Sequence, residues 1–399
     1  MVMLGIDRIY CDFAIRTVMS AVLDLMQTPV VEVLGKQRVG KKDTLGMDAV
    51  PENSIRASVN DFFANAILVT EETDEDNRAN WPEDPDPDKQ PLMFFCDPMD
   101  RSAQFGQFLK TFPSAYGESE LSLVGDIITH SEAKNFWAKE VDKISPIMIS
   151  GATVSVTCVS KGKIIVSAIM NVMTQTIFVA CSSGVFSMYT TGDMGKMRAL
   201  LSSIDLTMIE KKGKRIIFDS PKSLYRTEDD FLRFASFTGK EGYMENLMSS
   251  GILTEDQIHP YHDLPGGPSR VLFLSDFQPN DVPVGFVLAN GEKIGEWIHW
   301  LAYVKFAKNS QGDNILRIYE INSARLHAKD SILMSPPPPY SIFRYKSGSI
   351  VGPYLHISRL RDFDHPSHFR SMVLVTNASN MRVRNIMSGK GYNDVSSSF

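Results

Sequence analysis

Acidic residues gather where two short apolar runs end. Residues 67–69 run into Glu71 and Glu72, and residues 92–96 run into Asp97-Pro98-Met99-Asp100. Oxygen-only ligand sets select hard cations, and magnesium takes a few carboxylates while a substrate phosphate completes its shell. Pro98 fixes its own φ and drives Asp97 towards extended backbone, so the chain can turn and aim both carboxylates and the Met99 carbonyl at one point. Arg101, Ser102 and Ala103 then open a predicted helix, whose first N–H groups and dipole suit a phosphate. Asp48 and Glu320 complete the set of candidate acids. Each motif has a plainer reading. Asp100 before a helix serves as a cap more often than as a ligand. Glu71-Glu72 alone reads as a solvated loop, since acids are frequent in this chain. Brought together at adjacent strand ends, however, two like-charged clusters need a cation or a proton to coexist.

The elements that would position these acids are legible in the hydrophobic pattern. Residues 11–26 space their apolar positions as one helix face, and a second helical stretch covers 54–66. Residues 73–91, rich in Asp, Glu and Pro, read as a solvated excursion between the two acid-bearing strands. Three β-rich runs within 151–189, separated by SKGK and NVMTQ and closed by SSG, predict consecutive antiparallel strands. From about residue 212 strands and helices alternate: a helix near 227–237, a strand at 270–277, a helix at 295–307, and strands at 314–320 and 371–377. The prolines of 335–340 mark a stiff loop, and residues 390–399 a loose tail. These expectations divide the chain into an N-terminal α+β metal-binding half with a large, mostly antiparallel sheet (1–205), a C-terminal α/β substrate-binding half (206–385), and a polar tail (386–399).

Composition sets the outer limits. The 399 residues are 43% hydrophobic and 22% charged, with 41 Lys and Arg against 47 Asp and Glu, a net charge of −6. That balance argues against nucleic acid as a partner. The most hydrophobic region, 164–189, carries too many polar residues for a lipid-spanning helix, so no membrane is expected. Four scattered cysteines suggest neither a disulfide framework nor a zinc site, and with no signal peptide the expected compartment is the cytoplasm. His259 and His262, three apart around Pro260, do not share a helix face, and His299 reads as part of a semi-buried helix. No Gly-x-Ser-x-Gly elbow or Walker loop is present.

Four segments in order, VGKKDTLGMDAVPEN, ILVTEET, MFFCDPMDRSAQF and LRIYEINSARL, resemble the successive signatures of the fructose-1,6-bisphosphatase and inositol monophosphatase superfamily, most closely its fructose-1,6-bisphosphatase branch. The matching residues are Val69-Thr70-Glu71-Glu72, Asp97-Pro98-Met99-Asp100-Arg101-Ser102 and Ile318-Tyr319-Glu320-Ile321-Asn322. The resemblance implies the layered αβαβα sugar-phosphatase fold. It also implies a magnesium-dependent phosphomonoesterase, with manganese as a substitute ion and lithium as an inhibitor, acting on a small sugar phosphate (fructose-1,6-bisphosphate-like) or cyclitol phosphate. It assigns Glu71, Asp97, Asp100, Glu320 and the Met99 carbonyl to the metal. Asp48, which precedes Glu71 by 23 residues, and Glu72 are assigned to the attacking water, with Asp43 the rival to Asp48. Ser102 would position the nucleophile or the phosphate. The expected partner is a small phosphorylated substrate, and a homo-oligomer is admitted.

The sequence departs from the resembled pattern at several points. Arg101 stands where the family has glycine, and three roles are open to it: binding the phosphate, filling the space of a metal, or turning out to solvent. The second of these would make the chain a catalytically impaired homologue that binds a phosphorylated ligand or serves as a scaffold. Asn314 stands near a family phosphate-binding lysine. Only Arg270 matches the family's substrate arginine, with Val271 in place of a sugar-contacting tyrosine.

Overall fold

A computed structural model describes residues 5–35, 46–70, 92–117, 122–142, 151–161 and 163–217, and shorter stretches of helix and strand between 233 and 394. Helix α1 (Gly5–Met26) opens the chain, followed by a single turn, α2 (Val30–Val33), and by α3 (Gly46–Phe62). Strand β1 (Ile67–Thr70) and strand β2 (Met93–Asp100) come next, then α4 (Ser102–Tyr116), the short α5 (Val124–Ile128) and α6 (Ala133–Phe136), and a π-helical turn at Trp137–Asp142. A meander follows: β3 (Thr153–Ser160), β4 (Lys163–Asn171), β5 (Thr176–Cys181) and β6 (Gly184–Tyr189). The meander has four strands rather than three, because SSG turns a further hairpin instead of ending the sheet. Helices α7 (Met194–Leu201) and α8 (Leu206–Lys212) lead to β7 (Lys214–Ile216).

Strands β1 to β7 form one seven-stranded sheet in sequence order. Within it the β1–β2 pair is parallel, and the connection between these strands, residues 71–91, which includes the acid-rich excursion expected at 73–91, lies outside the described residues. The mixed α/β architecture matches the expected fold class. Strand alternation divides the sheet into two faces. Phe94, Cys96, Val154, Val156, Cys158 and Val166 belong to the core shared with α1 and α3. There Phe13 meets Phe63 at 4.8 Å and Phe94 at 4.9 Å between ring centroids, tying α1, the end of α3 and β2 together. Burying such a side chain is worth roughly 1.5–3 kcal/mol.

The other face carries Asp97, Ser155, Thr157 and Ser167, all buried. It is covered by a helical segment that includes Ile298, His299, Ala302, Tyr303 and Phe306. That segment is fastened to the sheet by polar bonds as well as by packing: Lys305 Nζ donates to the Ile164 carbonyl at 3.1 Å. Burial, and secondarily the charge of Lys163, lowers the Lys305 pKa to about 8.

A second sheet of five strands has the order β16 (Tyr392–Asp394), β11 (Arg317–Ile321), β15 (Val373–Thr376), β9 (Val284–Leu288), β8 (Arg233–Ser236). Pairs β10 (Glu292–Lys293) with β14 (His368–Phe369) and β12 (Phe343–Lys346) with β13 (Ser349–Pro353) form two-stranded ladders. Two expectations are corrected here. Residues 233–236 are a strand paired with β9, where a helix was predicted, and their β-tolerant RFAS sequence is satisfied by main-chain pairing. Residues 392–394 are not tail but an edge strand on β11. The predicted strand at 270–277 and the proline loop at 335–340 lie outside the described residues. Among the described residues, no helix is long and apolar enough to cross a membrane.

Candidate metal and phosphate site

The acids of β2 owe their placement to an irregularity in the ladder. Residues three apart on a regular strand point to opposite faces. Here Asp97 pairs with Ser155 and Asp100 with Thr153, so three steps along β2 match two along β3. This is a β-bulge at Pro98 and Met99. Proline suits it because the extra residue makes no ladder hydrogen bond. Ser155 and Thr153 share a face, and so therefore do Asp97 and Asp100. Met99 returns its side chain to the core on the opposite face. Asp97 is 0% exposed and Asp100 6%. Two carboxylates on one buried face repel unless positive charge lies with them.

Arg101 ends the strand and begins α4. It is the N-cap residue, with φ 69° and ψ 34°, and makes no side-chain cap. The cap reading of Asp100 therefore gives way: Asp100 is in the strand and the cap position belongs to Arg101. The left-handed conformation is one that glycine takes freely and an L-residue holds at a cost of roughly 1–2 kcal/mol. Arg101 is only 6% exposed, which rules out its turning to solvent, and its guanidinium lies 5.4 Å from the Trp137 ring centroid. A cation over an indole face gains about 0.5–2 kcal/mol, enough to offset much of the backbone cost. Helix α4 leaves its first N–H groups without intrahelical partners at Ser102, which is half-buried, and at Ala103, which is exposed.

Asp48 lies in the first turn of α3 and is buried, as is Glu52 one turn later. Glu52 Oε1 accepts from Thr70 Oγ1 at 3.2 Å and from Arg56 Nη2 at 2.9 Å. Glu52 thereby links α3 to the last residue of β1, immediately before Glu71. Sequence reasoning passed over Glu52, although its spacing of four from Asp48 puts both acids on one helical face.

Beneath the acids the sheet carries a buried polar network. Ser155 Oγ lies 2.9 Å from His299 Nε2 and 3.5 Å from the Asp97 carbonyl oxygen. Thr157 Oγ1 lies 2.6 Å from His299 Nδ1 and donates to Ser167 Oγ at 2.8 Å. Because Thr157 spends its one proton on Ser167, its oxygen accepts from Nδ1–H of His299, while Nε2 faces the Ser155 hydroxyl. His299 is helical, as expected, but 0% exposed, so the reading of a semi-buried helix face is replaced by that of a core histidine meeting three hydroxyls. Its signal was hidden because the hydroxyls stand more than 130 residues away in sequence.

The remaining candidates are not brought into view together. Glu71, Glu72, Asp43, Arg270, Asn314, His259 and His262 lie outside the described residues. Glu320 is in β11, paired with Val373 and Asn393, but its side chain is outside them too. Among the described residues, no three His, Cys, Asp or Glu side chains converge as a metal site. The chemistry of the described donors nonetheless fits a hard cation: two buried carboxylates on one face and a main-chain carbonyl between them. Thr153, whose buried hydroxyl has no hydrogen-bond partner among the described residues, pairs with Asp100.

No protein-family model and no curated protein matches the chain. Among solved structures it is similar to CysQ from Bacteroides thetaiotaomicron, described as a bacterial member of the inositol monophosphatase family, at 12% identity over 92% of this chain and 95% of that one, with a TM-score of 0.45. It is also similar to the extragenic suppressor protein SuhB from Bartonella henselae, at 13% identity over 95% of each chain and a TM-score of 0.44. An inositol monophosphatase from Anabaena gives 11% identity over 96% of this chain and 94% of that one, with a TM-score of 0.43. None of these three is described as a fructose-1,6-bisphosphatase, so they lend no support to that branch. At such identities and scores the likeness carries no argument about activity.

Proposed function

We propose that the chain is a metal-dependent phosphomonoesterase that releases inorganic phosphate from a small sugar or cyclitol phosphate. The observation that supports this most is the β2 bulge, which sets Asp97 and Asp100 on one buried face directly before the N-terminus of α4. In this reading Asp97, Asp100 and the Met99 carbonyl hold magnesium, or manganese in its place, together with Glu71 and Glu320. When bound, the metal supplies neutralisation of the phosphate and a lowered pKa for water. Asp48 and Glu72 orient the attacking water and take its proton. The N–H groups of Ser102 and Ala103 and the Arg101 guanidinium face the phosphate, while Ser102 Oγ helps to place it. Arg270 and Asn314 contact the remainder of the substrate. No covalent phosphoenzyme is needed.

The test is phosphate release from a panel of sugar, cyclitol and nucleotide monoesters, with a sugar bisphosphate included, in magnesium with and without lithium. Release from a sugar or cyclitol ester that lithium suppresses is the expected result. A panel with no release at all removes the proposal.

One observation favours a second reading. Arg101 is buried and directly follows Asp100 in the chain; its charge in place of a metal's would balance the two carboxylates and leave a phosphate-binding protein without turnover. Arg101→Gly separates the two: a gain of hydrolysis favours the silent binder, and a loss favours arginine as a working phosphate contact.

A further inference from the structure

The end of the seven-stranded sheet holds a row of three polar side chains on adjacent strands. Asp100 of β2 stands opposite Thr153 of β3, and Thr153 opposite Asn171 of β4. Thr153 and Asn171 are both 0% exposed. The Asn171 amide has a single pose: its Oδ1 accepts from the Met173 N–H at 2.9 Å and the Thr174 N–H at 3.1 Å. Those two donors identify the oxygen and leave the NH2 end over. Gly151 lies flat against the amide, where a Cβ would come within 2.3 Å of Oδ1. Yet among the described residues Asn171 Nδ2 and Thr153 Oγ1 have no hydrogen-bond partner.

Burying two adjacent donors unpaired is costly, and valine would fill the space of Thr153 without that cost. Four residues along the same strand and face, Thr157 shows the ordinary outcome, with its hydroxyl bonded to both His299 and Ser167. The difference between the two threonines asks for a ligand at the first.

We infer that Thr153 and Asn171, beside Asp100, form a subsite for a hydroxyl group of a polyhydroxylated ligand. The row offers two donors next to a carboxylate acceptor. A hydroxyl both accepts and donates and so can serve all three. A phosphate oxygen only accepts, and would set its negative charge against Asp100. The inference rests on the phosphomonoesterase reading and deepens it: the organic part of the substrate is a polyol, and these residues read it rather than the phosphate. Discrimination of this kind is large when a site built to bond a hydroxyl meets a substrate that lacks one.

The test pairs Thr153→Val with Thr157→Val as control and Thr153→Ser as rescue. Three measurements are made on the full chain. Urea unfolding without ligand should leave Thr153→Val as stable as the parent, or more so, while Thr157→Val loses stability. Saturation-transfer NMR with uncharged myo-inositol and glucose should show binding to the parent and to Thr153→Ser, and none to Thr153→Val. In turnover, Thr153→Val should raise KM for a cyclitol or sugar phosphate about tenfold and leave p-nitrophenyl phosphate, which has no hydroxyls, unchanged. Asn171→Asp, which keeps the oxygen that serves the turn and removes the donor, should reproduce the selective KM change. If no ester is turned over, the enzyme reading fails while the unfolding and polyol-binding measurements still decide the subsite. The inference is overturned if Thr153→Val is as destabilised as Thr157→Val. It is overturned equally if both kinds of ester lose affinity together, which would mean a phosphate contact. No change in any measurement would also overturn it, leaving an ordered water only.

Discussion

The two faces of the seven-stranded sheet are built from the same strands and do opposite things. Towards α1 and α3, the β2–β4 strands present Phe94, Cys96, Val154, Val156 and Cys158, a continuous apolar surface closed by aromatic contacts. On the other side, Ser155, Thr157 and Ser167 stand buried under a helix that brings His299, and Asp97, Thr153 and Asn171 are buried on the same face. An apolar face satisfies itself by excluding water, whereas a buried polar face must have each group bonded or served by a ligand. The first face holds the fold together. The second spends stability, and the bulge at Pro98 is the device that concentrates that cost at one end of the sheet.

Substitutions on the two faces should therefore separate stability from chemistry. The largest effect is expected from Asp97→Asn, which should lower phosphate release at least about a thousandfold, since the carboxylate is asked for several kcal/mol of metal-linked stabilisation. Urea unfolding of the metal-free variant should show no loss, because one of two facing charges is gone. Phe94→Ala should do the reverse, losing about 3–5 kcal/mol in urea unfolding while the folded fraction keeps its rate. Loss of turnover in Phe94→Ala at full foldedness would break the separation.

Smaller effects sharpen it. His299→Leu leaves Ser155, Thr157 and Ser167 short of a partner and should cost about 1–3 kcal/mol for each buried group left unpaired. Adding Thr157→Val and Ser167→Ala should restore part of that loss, a recovery measurable in a denaturation cycle. Arg101→Gly removes both a left-handed strain and a cation–π contact of similar size, so a net change under about 1 kcal/mol is expected, with an altered Trp137 emission. The weakest signal is the pH dependence of Lys305. Its folded pKa of about 8 lies below the ordinary lysine value of 10.5, so the unfolded chain binds more protons between these limits, and stability rises as pH rises through that window. Lys305→Met should lack that rise in pH-resolved unfolding.

How much of this was legible in the sequence follows from the range of the forces involved. Apolar periodicity is local, so the C-terminal end of α1, the start of α4 and the antiparallel character of the meander could be read, while the first turns of α1 and the fourth meander strand were not. The acid pair was legible because Asp97, Pro98 and Asp100 are contiguous, and the constraint proline imposes is itself local. What the sequence could not show is that a bulge would put both acids on one face, since that depends on register against β3. His299 was misread for the same reason: its partners come from β3 and β4, and no periodicity along its own helix carries them. Residues 233–236 and 392–394 became strands through pairing with β9 and β11, a tertiary choice that overrides weak local preference. Arg101 was legible as a departure, but its left-handed backbone and its seat over Trp137 were not.

Calorimetric titration of magnesium into the metal-free protein, beside the same titration into Asp97→Asn, tests the bulge site most directly. Saturable heat in the parent, with protons released and no heat in the variant, is the predicted result. Equal binding in both, or none in the parent at millimolar magnesium, would contradict the placement of a hard cation on the Asp97–Asp100 face.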